Sequence, residues 1–154
     1  MASTEMQYVI FRLNGESYGI EIKYVETIEK IMEITRVPKT NNYIKGVINL
    51  RGEIVPVIDV KERFNLGSSG YDSEARIIVN KIDDMLIGFI VDSASEVKNI
   101  SQENVNYNIV DESFQEGFVK GIAKHENKVI ILVDIDKILN LNHDIKQELE
   151  GGES

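Results

Sequence analysis

The feature that most constrains the fold is an internal repeat of strand-like sequence. Tyr43 to Val47, read as Tyr-Ile-Lys-Gly-Val, aligns with Phe118 to Ile122, read as Phe-Val-Lys-Gly-Ile, at an offset of 75 residues. The same offset continues without a gap as far as Leu66, which aligns with Leu141. A match of this length favours a duplicated structural unit. Chance similarity between strand-like segments is the alternative.

A second block of the repeat lies nearer the N-terminus. Tyr18-Gly19-Ile20 aligns with Ile87-Gly88-Phe89 at an offset of 69, so one insertion of six residues separates the two blocks. Each copy then consists of a hairpin, a connector, a second hairpin whose first strand carries the Lys-Gly motif, and a short helix. We therefore predict one domain over residues 7–141, built from two similar subdomains at about 7–67 and 75–141, with strands able to cross between them.

Short runs of β-branched and aromatic residues predict strands through most of the chain. Asn14-Gly15 separates the first two runs and is typical of a type I′ hairpin turn, because both central residues need a positive φ. The short, regular spacing indicates an all-β barrel or sandwich. The predicted strands are Tyr8–Leu13, Ser17–Ile22, Ile44–Leu50, Glu53–Ile58, Ala75–Lys81, Met85–Val91, Phe118–Lys124 and Lys128–Val133.

Two short helices interrupt the strands. Asp59 is a suitable N-cap for a helix through Leu66, with Glu62 in the capping-box position and Gly67 as the C-terminal stop. The repeat predicts a second helix over Asp134 to Leu141. Residues 142–154 are expected to form a charged C-terminal helix or tail.

The charge balance argues against nucleic-acid binding. The formal net charge is −9, because 26 acidic residues outnumber 17 scattered lysines and arginines. Phosphate backbones are bound by clustered basic residues through counterion release. The sequence also has no apolar run near the ~20 residues of a membrane span and no signal-peptide core at its N-terminus. These features are typical of a cytoplasmic protein without direct membrane insertion.

No set of residues in the sequence predicts catalysis, a metal or a cofactor. There is no cysteine, and the two histidines, His125 and His143, are too few for a zinc site of three or four ligands. Asp83-Asp84 suits a turn, and Asp59 and Asp134 suit helix caps. Nucleophile-elbow and phosphate-loop motifs are missing from the sequence. We therefore expect a protein that is not an enzyme.

One arginine is not required by its local sequence. In Asn49-Leu50-Arg51-Gly52-Glu53, Gly52 supplies backbone freedom and Asn49 can open the turn, but the turn itself does not need Arg51. Its counterpart in the second copy is Glu126, whereas an arginine that maintained the fold would be expected in both copies. A contact with a partner's carboxylate is one interpretation. A solvated arginine is the commoner one on residue chemistry alone.

The segment Ile22 to Glu33 allows two structures. Val25, Ile28 and Ile31 are three residues apart and could share one helical face, but β-branching also permits a turn followed by a strand. An apolar groove for a partner helix is the functional interpretation. Core packing is the commoner explanation.

Three motifs resemble the pattern of the CheW-like domain family. The longest and most specific is Tyr43 to Asp59, Tyr-Ile-Lys-Gly-Val-Ile-Asn-Leu-Arg-Gly-Glu-Ile-Val-Pro-Val-Ile-Asp. Ile87 to Asp92 and Ile130 to Ile135 match shorter parts of the pattern. The resemblance covers about residues 7–141. It implies two five-stranded SH3-like β-barrels packed together, which agrees with the repeat.

The resemblance also implies a function. Members of the family are adaptors that join the cytoplasmic tip of a chemoreceptor to the regulatory domain of the histidine kinase CheA. The expected protein is therefore a cytoplasmic, non-enzymatic adaptor recruited to membrane-associated receptor arrays. A coupling protein of a pilus-linked chemosensory system is an alternative, and a nucleic-acid-binding barrel is a further one that the charge disfavours.

The resemblance assigns partner-binding roles to individual residues. Arg51, in the Asn-Leu-Arg-Gly motif that Asn49 opens, matches an exposed functional arginine of the family. Val25 and Ile28 match the apolar receptor-binding positions. Many members carry an acid, positioned to pair with the arginine, where this chain has Thr27. Glu26 and Glu53 are candidate substitutes for that acid, although neighbouring residues in a strand face opposite sides.

Overall fold

The structure is a computed structural model that describes residues 4–38, 42–67, 70–108 and 117–140. Strands dominate these residues, so the prediction of an all-β fold with a few short helices is confirmed. The C-terminal residues 142–154 lie outside the described part. The elements are β1 (Glu5–Leu13), β2 (Glu16–Glu21), β3 (Val25–Lys30), β4 (Ile44–Leu50), β5 (Glu53–Asp59), α1 (Val60–Arg63), β6 (Arg76–Ile82), β7 (Met85–Val91), β8 (Ser93–Ser101), β9 (Val105–Asn106), β10 (Val119–His125), β11 (Lys128–Val133) and α2 (Ile135–Asn140).

The strands form two sheets, and each sheet lies largely within one of two compact units. The first unit comprises the described residues up to Phe11, then Gly15–Ile22, and those from Ser95 onward. The second comprises Arg12–Asn14 and Lys23–Ala94. The first sheet has the strand order β8-β1-β2-β11-β10-β9 and the second has the order β3-β6-β7-β5-β4. The second sheet has the five strands expected from the resemblance, and the first adds the two-residue strand β9.

Strand pairing reproduces the internal repeat residue by residue. β4 and β10 begin and end 75 residues apart, and each pairs with the strand that follows it. In the second unit Val57 pairs with Gly88 of a parallel strand, and in the first unit Leu132 pairs with Gly19 in the same way. The offsets of 75 and 69 therefore relate equivalent positions in the two sheets.

Each sheet closes on itself through the segment that follows an edge strand. In the second unit, Thr35 and Val47 exchange two backbone hydrogen bonds of 2.8 and 2.9 Å, which connect the chain after β3 to β4 at the opposite edge. In the first unit, β8 leads through a short 3₁₀ turn to β9, which pairs with β10. Closure of this kind removes exposed sheet edges, as in a small barrel.

Each unit is built around its own apolar cluster. Side chains that alternate along the strands supply both clusters, because every second residue of a strand faces inward. The second unit buries Ile48, Leu50, Val55, Val57, Ile77, Val79 and Ile90. The first unit buries Tyr8, Ile10, Ile100, Ala123, Ile130 and Leu132.

The helix caps follow the sequence prediction, but the first helix is shorter than predicted. Asp59 Oδ1 accepts a hydrogen bond from the Glu62 amide at 3.3 Å, and Asp134 Oδ1 accepts one from Lys137 at 3.2 Å. α1 ends at Arg63 instead of Leu66. Asn65 already adopts a left-handed φ of 61°, so the helix stops before Gly67.

The segment after the first hairpin is a strand instead of a helix. Ile22–Tyr24 forms one 3₁₀ turn, and β3 then pairs antiparallel with β6. The helical face of Val25, Ile28 and Ile31 is therefore not formed. β8 was not predicted from the sequence, because most of its residues are at least partly exposed and give no continuous apolar run.

Candidate partner-binding site

The turn between β4 and β5 presents Arg51 to solvent. Arg51 and Gly52 both have a positive φ, of 52° and 91°, as a two-residue type I′ turn requires. Asn49 Oδ1 accepts a hydrogen bond of 2.9 Å from the Gly52 amide and so fixes the turn. The side chain of Arg51 is 71% exposed. Asn49 is thus committed to the backbone, while Arg51 projects outward.

The backbone of Arg51 is in a conformation that arginine does not favour. The left-handed conformation costs a residue with a Cβ atom roughly 1–2 kcal/mol. Asparagine and aspartate tolerate this conformation better than other such residues, and glycine has no Cβ atom. The first hairpin and the β6–β7 hairpin follow that preference, with Asn14 and Asp83 at the same φ of 51°. The turn therefore does not explain the choice of arginine, which points to a role for its side chain.

An acid partner for Arg51 is present at a position that sequence reasoning missed. Arg51 Nη2 lies 3.3 Å from Glu29 Oε2, and the same oxygen accepts a hydrogen bond of 2.7 Å from Thr27 Oγ1. Neither Glu26 nor Glu53 is this partner. The signal was available in the period of two along a strand, since Thr27 and Glu29 lie on the same side of β3.

The carboxylate of Glu29 orients the exposed arginine from a sheltered position. Only 16% of the Glu29 side chain is exposed, compared with 71% for Arg51. Thr27 and Glu29 stand opposite the core residues Val79 and Ile77 of β6. Because Glu29 uses one guanidinium nitrogen of Arg51, the other N–H groups remain available to a second acceptor.

The structure does not place all the predicted residues on one side of β3. Ile28 stands opposite Ile78 and faces away from Thr27 and Glu29. Val25 precedes a register shift in the pairing with β6. Both Val25 and Ile28 are half-buried. The structure thus brings Arg51 and Thr27 together through Glu29 and leaves Ile28 on the opposite side of the strand.

A second polar cluster surrounds the buried amine of Lys61. Lys61 Nζ lies 2.7 Å from Asp92 Oδ1 and 4.5 Å from the centre of the Tyr71 ring, and it borders a cavity of about 500 Å³. The Tyr71 hydroxyl donates to Asp59 Oδ1, and the Asp59 carboxylate also caps α1. These contacts tie α1 to Asp92, directly after β7, and to the loop that contains Tyr71, which is a structural role.

The Tyr71 hydrogen bond predicts alkaline destabilisation. Burial and the bond to Asp59 raise the pKa of the Tyr71 phenol above its ordinary value of 10.0. The stabilisation is therefore complete below pH ~10 and is lost as pH rises above this value, because the unfolded chain releases the proton first. We expect Tyr71→Phe to lose less stability than the wild type between pH 9 and 11 in urea denaturation. If the free energy of unfolding falls equally with pH in the two proteins, this assignment is contradicted.

Neither a metal-binding cluster nor a membrane-spanning helix is found in the part of the chain that the structure describes. Among these residues no three His, Cys, Asp or Glu side chains come together in a way that could hold a metal ion. Over the same residues, no helix is long and apolar enough to cross a membrane. The exposed arginine with its acid partner is thus the best-defined candidate site.

Comparison with known proteins identifies the family. The model of the CheW-like domain matches residues 7–143. Chemotaxis protein CheW of Bacillus subtilis is 36% identical over 144 residues, covering 89% of this chain and 88% of that protein. CheW of Klebsiella aerogenes is 33% identical and covers 87% of this chain and 81% of its own length.

A solved structure gives the same result. The scaffolding protein TtCheW of Thermoanaerobacter tengcongensis superimposes with a TM-score of 0.83 at 37% identity, covering 90% of this chain and 94% of that one. The agreement extends over both units, so the fold expected from the sequence motifs is confirmed. On the family match, the sequence identity and the shared fold, this chain belongs to the CheW-like domain family.

Proposed function

We propose that this chain is a non-enzymatic adaptor that couples chemoreceptors to the histidine kinase CheA in bacterial chemotaxis. The observation that carries the proposal is the exposed Arg51, held at a strained turn by Glu29 within the most specific motif of the family. The relatives are named as chemotaxis proteins and the solved structure as a scaffolding protein, and both support this role.

The proposed partners are the cytoplasmic tip of a receptor and the regulatory domain of CheA. Arg51 offers a planar, permanently charged fork to a carboxylate on a partner, and arginine is enriched among the residues that dominate binding energy. Asn49 shapes the turn that presents Arg51, and Thr27 helps to hold the carboxylate of Glu29. Val25 and Ile28 supply apolar contact for the receptor.

Signalling through such an adaptor needs no bond to be made or broken. The kinase and the receptor each bind a surface of the protein, and the receptor changes kinase activity through different affinities for the two signalling states. The protein acts in the cytoplasm and is recruited to receptor arrays through these contacts. The acidic surface, with a net charge of −9, favours partners that carry basic patches.

Binding of the purified protein to both partners tests the function. We expect the full chain to bind a CheA regulatory domain and a receptor cytoplasmic fragment singly, and to form a ternary complex when all three are mixed. Size-exclusion chromatography with light scattering measures the masses of the complexes. If the folded protein binds neither partner, the proposed function is overturned and the family assignment is unaffected.

A further inference from the structure

The carboxylate of Glu29 receives two hydrogen bonds at one oxygen atom. Thr27 Oγ1 donates to Glu29 Oε2 at 2.7 Å, and Arg51 Nη2 donates to the same atom at 3.3 Å. The first distance is typical of a hydroxyl bond to a carboxylate, whereas the second is longer than the roughly 2.7–2.9 Å of a strong guanidinium contact. The uncharged hydroxyl of Thr27 is therefore the closer donor to Glu29.

The two donors reach Glu29 from different parts of the second unit. Thr27 and Glu29 lie two residues apart on the same side of β3, whose backbone is fixed by its pairing with β6. The branched Cβ of threonine also makes its side chain stiff. Arg51 comes from the turn between β4 and β5, 22 residues away, and its long side chain is 71% exposed. Thr27 is thus the rigid donor, and Arg51 is the donor that a partner can reach.

The sheltered position of Glu29 makes its choice of donor important. Its side chain is only 16% exposed, so water screens its charge less than at an open surface. A sheltered carboxylate that loses one hydrogen bond depends more strongly on the donor that remains. Loss of the Thr27 hydroxyl would therefore leave Arg51 as the donor on which Oε2 depends.

The hydroxyl also limits how Glu29 can hold the guanidinium. Arginine and a carboxylate bind most strongly through two parallel N–H···O bonds, which require both carboxylate oxygens to face the guanidinium. With Oε2 held by Thr27, the contact between Glu29 and Arg51 is one long bond of 3.3 Å. The other N–H groups of Arg51 therefore stay available to a second acceptor.

On the basis of the proposed function of Arg51, we propose that Thr27 is a positioning residue that keeps this arginine available to a partner. Its hydroxyl occupies the oxygen of Glu29 that would otherwise help to capture the guanidinium. Without the hydroxyl, Glu29 turns both oxygens toward Arg51, and the carboxylate of a partner has to compete with a bidentate internal pair.

Two substitutions at position 27 test whether the hydroxyl controls the pair. Thr27→Val removes the hydroxyl and keeps the β-branched shape that suits a strand. Thr27→Ser keeps the hydroxyl and serves as the matched control. Neither substitution changes the net charge of −9, so long-range attraction to a partner is the same in both variants and in the wild type.

The strength of the internal pair is measured in the protein alone. Arg51→Ala, Glu29→Gln and the double variant, made with each residue at position 27, give the coupling between the two side chains from urea denaturation. We expect this coupling to be about twofold larger with Thr27→Val than in the wild type, because two bonds replace one, and unchanged with Thr27→Ser. An equal or smaller coupling with Thr27→Val would overturn the proposal.

The effect on partner binding is measured by titration calorimetry with the CheA regulatory domain and the receptor fragment. Thr27→Val should bind the partner that Arg51→Ala binds weakly about threefold more weakly than the wild type does, and Thr27→Ser should match the wild type. With Arg51→Ala already present, Thr27→Val should cause no further loss of affinity.

Unchanged affinity of Thr27→Val would contradict the proposal. A further loss in the Arg51→Ala background would also contradict it, because Thr27 would then contact the partner directly. If the wild type binds neither partner, the proposed function is refuted, and the coupling measured in the free protein still decides whether Thr27 controls the pair.

Discussion

Replacing Arg51 with alanine is expected to weaken binding to the CheA regulatory domain and the receptor fragment by about tenfold or more while the protein stays folded. The interaction that holds Arg51 is an ion pair at 3.3 Å between its solvent-exposed guanidinium and the sheltered carboxylate of Glu29. Pairs of this kind contribute about 0–1 kcal/mol to stability, so the free energy of unfolding should change little. Titration calorimetry and urea denaturation measure the two effects separately.

Further variants distinguish the effect of the Arg51 side chain on affinity from the effects of the turn conformation and of net charge. Arg51→Asn suits the positive φ better and is expected to keep or raise stability while losing the same affinity. Arg36→Ala removes an equal charge from another exposed arginine of the second unit and should bind like the wild type. Glu29→Gln keeps Arg51 but weakens the contact that orients it, so this variant should lose less affinity than Arg51→Ala. If Arg51→Ala binds both partners with the affinity of the wild type, Arg51 is not part of the proposed site.

Replacing Gly46 with alanine is expected to lower the free energy of unfolding by about 3 kcal/mol or more. A Cβ atom at Gly46 would lie 2.1 Å from the carbonyl oxygen of Thr35, and the residue has a φ of +144°. Neither the Thr35 oxygen nor the backbone at Gly46 can move away without breaking the two hydrogen bonds between Thr35 and Val47. The substitution should therefore open the closure of the second sheet.

A second glycine provides the control for the backbone effect alone. Gly52 also has a positive φ, of +91°, but no atom lies within 4 Å of a Cβ built there. Gly52→Ala should cost only about 1 kcal/mol, from the left-handed backbone. Urea denaturation measures the difference, and hydrogen exchange at the Val47 amide reports the closure directly. Equal losses in the two variants would contradict the steric explanation.

Local features of the fold could be predicted from the sequence because they depend on residues close together in the chain. Asn14-Gly15 specifies a turn through its own backbone preferences, and Asp59 caps α1 through a bond three residues away. The repeat also predicted which glycines are equivalent, since Gly19 and Gly88 pair with Leu132 and Val57. The sequence also singled out Arg51, because nothing in its turn required an arginine, and its partner-binding role stays a prediction.

Other features depended on pairing between distant strands. Segment 22–33 was compatible with a helix or a strand until β3 paired with β6. The acid that holds Arg51 was missed because Glu29 is 22 residues away and is brought close only when the second sheet closes. β8 was missed because its largely exposed side chains leave no apolar run to recognise.

The sequence by itself determined the class of fold, the repeat, the turns and the exposed arginine, because each follows from backbone preference or from residue spacing. Only the tertiary structure decided which strands share a sheet, so that β2 joins β11 and β5 joins β7. It alone also showed that Arg51 pairs with Glu29, which lies 22 residues away in the sequence. The physical reason is that strands of similar pattern can pair in many ways, and packing of the whole chain selects among them.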